Sequence, residues 1–184
     1  MKTYLLPAAA LLALTACSGK TGDSNTETTD STSVATGVPA GPMSDKPHKV
    51  ETEVSLGGHT YALTVSRTVA TARPAVKDWE GDEYYDNICE IDIRRDGEAF
   101  ACRSFTLDDF QSGLDEATRK GARLLGMAYD SERSDAGRLM FGAQVGQAGM
   151  DGGPAFCVAF STTTGEVSIA PDAQQDTEGG EIGD

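Results

Sequence analysis

The sequence feature that most restricts the fold is an alternation of apolar and polar side chains on both sides of the Asp96-Gly97 dipeptide. An Asp-Gly pair between two alternating segments is typical of a two-residue β-hairpin turn. Such a turn would place Ile93 opposite Phe100 and would keep the large apolar side chains on one face, except those of Ile88 and Phe105. The pattern therefore predicts an antiparallel sheet with one buried face. The apolar positions are Cys89, Ile91, Ile93, Phe100 and Cys102.

Other segments continue the strand pattern. A second hairpin is expected around the Gly57-Gly58 dipeptide. Residues 155–160 are apolar at nearly every position, which favours a central strand that is covered on both faces. Together these segments predict an antiparallel sheet of six to eight strands. Apolar alternation also predicts strands within residues 139–145 and 167–169. Residues 124–129 could extend the helix described next or begin a strand, and of these two we choose the strand.

One helix is predicted after the 88–105 hairpin. Thr106 and Asp109 have the spacing of a capping box, and Gly121 is expected to end the helix. The predicted fold class is therefore α+β, an antiparallel β-sheet with one packed helix. The alternative is a small β-sandwich or half-barrel with the helix as a lid. The apolar face of this helix would consist of Leu107, Phe110, Leu114 and Ala117.

Residues 1–16 have the features of a secretion signal peptide: Lys2, an apolar run and then small residues. The run is too short to span a bilayer as a helix. It ends in Leu14-Thr15-Ala16-Cys17, which resembles a bacterial lipobox. In lipoproteins of that family the signal peptide is removed before the cysteine, and acyl chains such as palmitate are attached to it. The resemblance implies that Cys17 is the lipid attachment site and anchors the mature chain.

Composition divides the rest of the chain into three parts. Residues 17–47 contain the lipidated cysteine and a flexible tether rich in Ser and Thr. Residues 171–184 carry acids and no base, which predicts a disordered acidic tail. Between them, residues 48–170 are long enough for a single α+β domain with its own core.

The charge balance excludes one class of partner. The 184 residues include 15 Lys and Arg against 29 Asp and Glu, a net charge of −14 at pH 7. A nucleic-acid-binding protein needs a basic surface to neutralise phosphates. We therefore expect no nucleic acid among the partners.

The residue after the lipobox cysteine bears on location. Ser18 occupies the position where Asp retains lipoproteins of enteric bacteria in the inner membrane. Cys17 is also not followed by an acidic run of the kind linked to surface export in some Bacteroidota lipoproteins. The resemblance thus implies an outer-membrane lipoprotein of the cell envelope that faces the periplasm, with exposure at the cell surface as the alternative.

Residues 78–87 combine acidic and aromatic side chains and form the best candidate in the sequence for a metal or ligand site. Carboxylates at alternate positions can gather around Ca²⁺, which takes about six to eight oxygen ligands. The alternative without a binding function is an acidic surface loop whose aromatic side chains pack on the sheet. No cofactor is expected, with Ca²⁺ as the alternative. The candidate metal ligands are Asp78, Glu80, Asp82 and Asp86, and the candidate ligand platform is Trp79, Tyr84 and Tyr85.

Apart from Cys17 the chain has three cysteines, Cys89, Cys102 and Cys157. A secreted location permits disulfides. In the predicted hairpin, Cys89 and Cys102 share a face as diagonal neighbours, whose β-carbons lie about 7 Å apart. A disulfide needs about 3.8 Å. A Cys89–Cys102 disulfide with local distortion and three free thiols therefore remain the two alternatives.

No catalytic residue can be assigned. The sequence contains neither a Gly-x-Ser-x-Gly elbow nor a Cys-x-x-Cys pair, and His48 and His59 are expected at the surface. The lipobox, the tether and the β-rich core resemble small Bacteroidota-type lipoproteins that carry a domain of unknown function. This predicts a non-enzymatic envelope lipoprotein, bound to the membrane by its lipid, that binds a small ligand or an envelope protein. The alternative is a carboxylate-based envelope hydrolase assisted by Ca²⁺.

Overall fold

Two four-stranded antiparallel sheets supply most of the structure. The computed structural model describes residues 41–173, of which 59% lie in strands and 8% in helical turns. Predictions for the signal peptide, Cys17, most of the tether and most of the acidic tail fall outside the described residues. The strands are β1 (His48–Leu56), β2 (His59–Val69), β3 (Val76–Lys77), β4 (Glu83–Tyr84), β5 (Asn87–Arg95), β6 (Glu98–Phe105), β7 (Ala122–Asp135), β8 (Arg138–Gln147), β9 (Ala155–Ser161) and β10 (Val167–Pro171).

The N-terminal sheet has the strand order β1-β2-β5-β6. Leu56 pairs with His59 across the predicted Gly57-Gly58 turn. The two glycines have φ of 59° and 83°, the left-handed values that a tight hairpin turn requires and that glycine adopts at low cost. The alternation in β2 then points its apolar side chains into the core, namely Tyr61, Leu63 and Val65.

The C-terminal sheet has the order β10-β9-β8-β7. The predicted interior position of β9 is confirmed, because β8 and β10 pair with it on either side. The predicted strand within residues 124–129 is confirmed as part of β7. A third, two-stranded sheet joins β3 to β4.

The core lies between the two large sheets. Phe105 of β6 and Phe160 of β9 are fully buried and meet edge to face, with ring centroids 6.3 Å apart. Phe141 of β8 meets Phe160 in the same way at 5.5 Å. Burial of such aromatic rings supplies much of the stability of a small β protein.

The predicted α+β fold class is wrong, because the described residues are nearly all β and contain no packed helix. The segment after β6 forms two 3₁₀ turns, at residues 107–109 and 111–113, and one α-helical turn, at residues 116–119. The helix lid of the alternative is missing for the same reason. No helix within residues 41–173 is long and apolar enough to cross a membrane.

Two separate caps explain why one helix does not form. The capping box of Thr106 and Asp109 is present, but it starts only the first turn. Asp115 then starts a new turn by accepting a hydrogen bond from the Thr118 amide at 2.7 Å. Gly113 lies between them and passes close to Phe156, where an added Cβ would stand 2.5 Å from the ring. The apolar spacing still located three of the four predicted buried positions, Leu107, Phe110 and Leu114, whereas Ala117 is exposed.

The predicted register of the 88–105 hairpin holds only next to the turn. Arg95 pairs with Glu98 across Asp96-Gly97 as a two-residue turn requires. A bulge beside Ile93 then shifts the pairing by one residue, so that Asp92 rather than Ile91 lies opposite Cys102. A one-residue shift turns every later side chain to the other face. Phe105 therefore enters the core.

The same shift separates the cysteines that were considered for a disulfide. Cys89 is buried, whereas Cys102 is exposed on the opposite face of the sheet. Cys157 is partly buried on the C-terminal sheet, and all three thiols are free. Of the two alternatives left by the sequence, this geometry corresponds to free thiols.

Residues 43–46, which the sequence places in the tether, contact the sheets. The Met43 amide donates to the Glu83 carbonyl at 2.7 Å, and the Met43 carbonyl accepts from the Tyr85 amide at 2.8 Å. The Asp45 carboxylate accepts from the Arg123 guanidinium at 2.5 Å and from the Asn87 side-chain amide at 2.6 Å. We call residues 43–46 the latch.

Asp86 precedes Asn87, whose side chain binds Asp45 of the latch. The burial of the Asp86 carboxyl leads us to expect that the stability of the protein depends on pH. Asp86 is 3% exposed, and burial raises the pKa of its carboxyl above 3.8 although the Leu124 and Asn87 amides and Arg73 partly offset this. The folded protein thus holds this proton at a higher pH than the unfolded chain. The stability from this group is full below 3.8 and is lost as the pH rises through the raised pKa.

We expect Asp86→Asn, which keeps the shape but cannot ionise, to lack this dependence. In urea denaturation, the stability of the wild type minus that of the variant should fall as the pH rises from about 4 through the raised pKa of Asp86. The other acids are common to both proteins and cancel in the difference. A difference that stays constant over this range would contradict the raised pKa.

Candidate functional site

The loop between β3 and β4 is held in one conformation by its own first side chain. The Asp78 carboxylate accepts three backbone hydrogen bonds, from the amides of Glu80, Gly81 and Asp82, at 2.9, 2.8 and 2.9 Å. The Asp78 amide donates to the Asp82 carbonyl at 3.0 Å. This pattern fixes the backbone on both sides of Trp79.

A second loop supports the first from the side. At Gly149, in the Gly-rich connection after β8, an added Cβ would lie 2.8 Å from the Asp78 carboxylate and 3.4 Å from the Tyr84 hydroxyl. Tyr84 is hydrogen-bonded to Asp78, and its pKa is raised by burial and then by the charges of Asp78 and Asp82. The Arg123 guanidinium lies 5.3 Å from the centre of the Tyr84 ring. Asp78 is therefore enclosed by structured neighbours.

Trp79 is the only tryptophan of the chain, and it is 81% exposed. Large aromatic side chains contribute strongly to binding when they are covered by a partner. Here the indole projects from a fixed loop, so little loop ordering would be needed on binding. Of the predicted platform residues, Trp79 is the one presented to solvent.

A cavity of about 310 Å³ lies against Trp79, and we call it the Trp79 pocket. Two backbone contacts shape it: Ala148 donates to the Gly121 carbonyl at 2.9 Å, and Gly121 passes so close to β3 that an added Cβ would lie 3.0 Å from the Lys77 carbonyl. Asp78 lines it as well. The remaining lining residues are Lys77, Trp79, Lys120, Gly121, Gln147 and Ala148.

The charged residues that line the pocket are two lysines, Lys77 and Lys120, and one carboxylate, Asp78. Lys120 is exposed and makes no ion pair within residues 41–173, whereas Lys77 is 3.5 Å from a Glu83 carboxylate oxygen. The Gln147 side-chain amide donates to the Ala117 carbonyl at 3.2 Å, which leaves its oxygen available as an acceptor. The pocket thus combines an indole, cations and a hydrogen-bond acceptor.

The candidate metal ligands are only partly brought together. Asp78, Glu80 and Asp82 each offer a carboxylate oxygen within 4.8 Å of the others. Asp86 is not among them, because it lies buried where it accepts from the Leu124 amide at 2.8 Å. The group is therefore a cluster of three carboxylates, and one oxygen of Asp78 is already committed to three amides.

The other two residues of the candidate platform have structural contacts. Tyr84 lies beneath the loop against Asp78, and the Tyr85 amide donates to the latch. Among the described rings, Trp79 stacks on neither of them. The platform is thus a single indole.

Sequence reasoning missed Lys77, Lys120 and Gln147. Lys120 sits in a small basic cluster that most simply offsets the dipole of the expected helix, and Lys77 and Gln147 carry no motif. These residues meet only because the turn before β7 folds onto β3, a contact that no local pattern in the sequence shows.

The cysteine thiols are poor nucleophiles. Burial raises the pKa of Cys89 to about 12. Burial also raises the pKa of Cys157, although the neighbouring Arg133 acts in the opposite direction. The pKa of Cys102 is raised by desolvation and by Glu90 and Asp92. A reactive cysteine needs a lowered pKa, so none of these three fits nucleophilic catalysis.

An open groove of about 580 Å³ is lined by residues of the C-terminal sheet together with Asp45 of the latch and Arg67 of β2. The arginines at its rim bind oxygens of this chain: Arg67 donates to the Leu125 carbonyl at 2.6 Å and Arg133 to Asp172 at 2.8 Å. None of its described lining residues is aromatic. The Trp79 pocket is the better candidate for a binding site.

Comparison with known proteins gives one family match. A family profile described as Domain of unknown function (DUF4738) matches residues 27–169. This confirms the expectation of a domain of unknown function. No curated protein matches the chain.

Proposed function

Because this chain belongs to the DUF4738 family of domains of unknown function, we propose its function from its own residues. It is a lipid-anchored cell-envelope protein whose β domain binds a ligand at the Trp79 pocket without chemical conversion. The anchor is Cys17, and the location is the periplasmic face of the outer membrane.

The anchor is supported by the sequence. Cys17 follows an apolar run and the small residues that a lipobox requires. Several acyl chains on one residue hold a protein at a bilayer nearly irreversibly, since each buried CH₂ contributes about 0.8 kcal/mol. The proposal therefore places the β domain close to the components of the envelope.

The observation that carries the binding function is the presentation of Trp79. Because the Trp79 indole is 81% exposed, it contributes little hydrophobic stabilisation to the free protein. Its loop is nevertheless fixed by the three hydrogen bonds to the Asp78 carboxylate. A fixed, exposed indole beside a cavity has the form of a preorganised binding surface.

The fluorescence of the sole tryptophan tests this function. We expect addition of an isolated carbohydrate, protein or lipid fraction of the envelope to protect Trp79 of the full chain from acrylamide quenching. No soluble product should be released from that fraction. Product release would favour the hydrolase alternative, and failure of every fraction to protect Trp79 would overturn the proposed function.

In the hydrolase alternative Ca²⁺ would assist the carboxylates from Asp78, Glu80, Asp82 and Asp86. The structure brings the first three of these together, and we expect no Ca²⁺ binding there. Three carboxylates, one of them largely committed to backbone amides, provide too few free oxygens for an ion that takes about six to eight. Millimolar Ca²⁺ should therefore leave the Tm of the full chain unchanged relative to a chelator. A rise in Tm that Asp82→Asn removes, but Asp92→Asn does not, would contradict this expectation.

A further inference from the structure

We propose that the Trp79 pocket binds an acidic saccharide, with a sugar ring stacked on the Trp79 indole and its acid group paired with Lys120. This inference rests on the proposed ligand-binding function and specifies the chemical class of the ligand.

The indole supplies the surface for a sugar ring. One face of a pyranose carries mainly C–H groups, which pack on the electron-rich face of an aromatic ring while the hydroxyls around the edge stay polar. Trp79 has the exposure that such stacking needs. Its fixed loop keeps the indole beside the pocket, so stacking costs little conformational entropy.

Polar groups of the pocket match the edge of a sugar. The side-chain oxygen of Gln147 remains free to accept from a hydroxyl, because its amide nitrogen donates to Ala117. Ammonium groups of Lys77 and Lys120 can donate to hydroxyl or acid oxygens. The volume of about 310 Å³ lies at the small end of the range for ligand sites, which suits a short saccharide unit.

Charge indicates that the saccharide is acidic. Although the chain has a net charge of −14, the lining of this pocket has two lysines against the single carboxylate of Asp78. Lys120 makes no ion pair among the described residues, and Lys77 has only the 3.5 Å contact with Glu83. The negative charge of Asp78 is stabilised by three amides. An acid group on the ligand would neutralise Lys120.

A bilayer fits the same surface less well. Glu80 and Asp82 flank the indole but do not line the pocket. A membrane surface would have to accommodate the whole loop, including these exposed carboxylates, and anionic lipids would repel them. A saccharide in the pocket needs to meet only the lining residues.

The acid group could belong to a uronic acid ring or to a lactyl ether on an amino sugar. Both place a carboxylate on a sugar ring, which is the chemistry that the pocket recognises. The test therefore includes one saccharide of each kind.

The test uses the full chain in a sugar-free detergent, with acrylamide quenching of Trp79 and titration calorimetry as readouts. The probes are oligogalacturonate, a peptide-free glycan that contains muramic acid, a neutral malto-oligosaccharide, polyglutamate and phosphatidylglycerol vesicles. We expect one of the acidic saccharides to protect Trp79 and to bind at least about tenfold more tightly than the neutral one.

Variants separate the two parts of the site. Trp79→Ala should weaken binding of the acidic saccharide at least about tenfold by calorimetry, whereas Val50→Ala, an exposed apolar residue of β1, should leave it unchanged. Lys120→Gln should lower the affinity to that for the neutral saccharide, and Lys120→Arg should retain it. Lys49→Gln, on β1, is the matched control for loss of a lysine.

Other outcomes overturn the inference. Equal binding of neutral and acidic saccharides, or unchanged affinity in Lys120→Gln, would refute the role of the acid group. Protection by polyglutamate or by vesicles alone would refute the saccharide but keep a ligand site at Trp79. If no probe and no envelope fraction protects Trp79, both the inference and the proposed function fail.

Discussion

Replacing Cys17 by serine is expected to move the protein from the membrane fraction to the soluble fraction. In the proposed function Cys17 is the residue that receives the acyl chains, as the lipobox resemblance implies. Each buried CH₂ contributes about 0.8 kcal/mol, so loss of even one long chain lowers membrane affinity by several orders of magnitude. Incorporation of labelled palmitate and partition into detergent measure the effect directly.

The exposed thiol of Cys102 provides the matched control. Cys102→Ser should keep both the label and the membrane association. A Cys17→Ser protein that still incorporates palmitate, or that remains with membranes after a high-salt wash, would contradict the proposed anchor.

The second large effect is expected in the core. Phe160 is fully buried between Phe105 and Phe141. Phe160→Ala should lower the free energy of unfolding by about 3–5 kcal/mol, because it removes the ring from the place where the two sheets meet. Typical domains have about 5–15 kcal/mol in total, so this variant should be near the limit of stability.

Phe100 gives a matched comparison in urea denaturation. It is only partly buried, and its ring meets Tyr61 and the Arg95 guanidinium at the edge of the N-terminal sheet. Phe100→Ala should lower the free energy of unfolding by about 1 kcal/mol. Equal losses in the two variants would show that the core does not depend on the contact between the sheets.

Local patterns in the sequence predicted the turns and most strands correctly. Gly57-Gly58 and Asp96-Gly97 are two-residue turns in which the residue types themselves favour the left-handed backbone. The bulge beside Ile93 could not be read in the same way. The bulge allows Phe105 to enter the core in place of a fully buried Phe100. This choice depends on packing against the opposite sheet, where Phe105 meets Phe160.

The absence of the predicted helix shows a second limit of prediction from local sequence patterns. Apolar spacing of three and four residues is shared by an α-helix and by a series of short turns that face the same core. The second cap at Asp115 was the local clue that the segment restarts. Packing on Phe156 and the glycine at residue 113 then favour the broken form.

The candidate site was predicted in part. The aromatic and acidic segment at residues 78–87 was singled out because its composition is unusual. Asp86 was wrongly grouped with the carboxylates at residues 78–82, because nearness in sequence does not show that β4 ends between them and that Asp86 turns inward. Lys120 joins Trp79 only through tertiary structure.

The latch has a mechanical consequence. A pull applied to the chain at residue 41 reaches the backbone bonds of Met43 and the Asp45–Arg123 ion pair before it reaches β1. The load is then passed to β4, β5 and β7, so the exposed edge strand β1 is not peeled from β2 while the latch holds. The force that starts unfolding from this end should therefore be set by the latch, and Asp45→Ala should lower that force in single-molecule pulling.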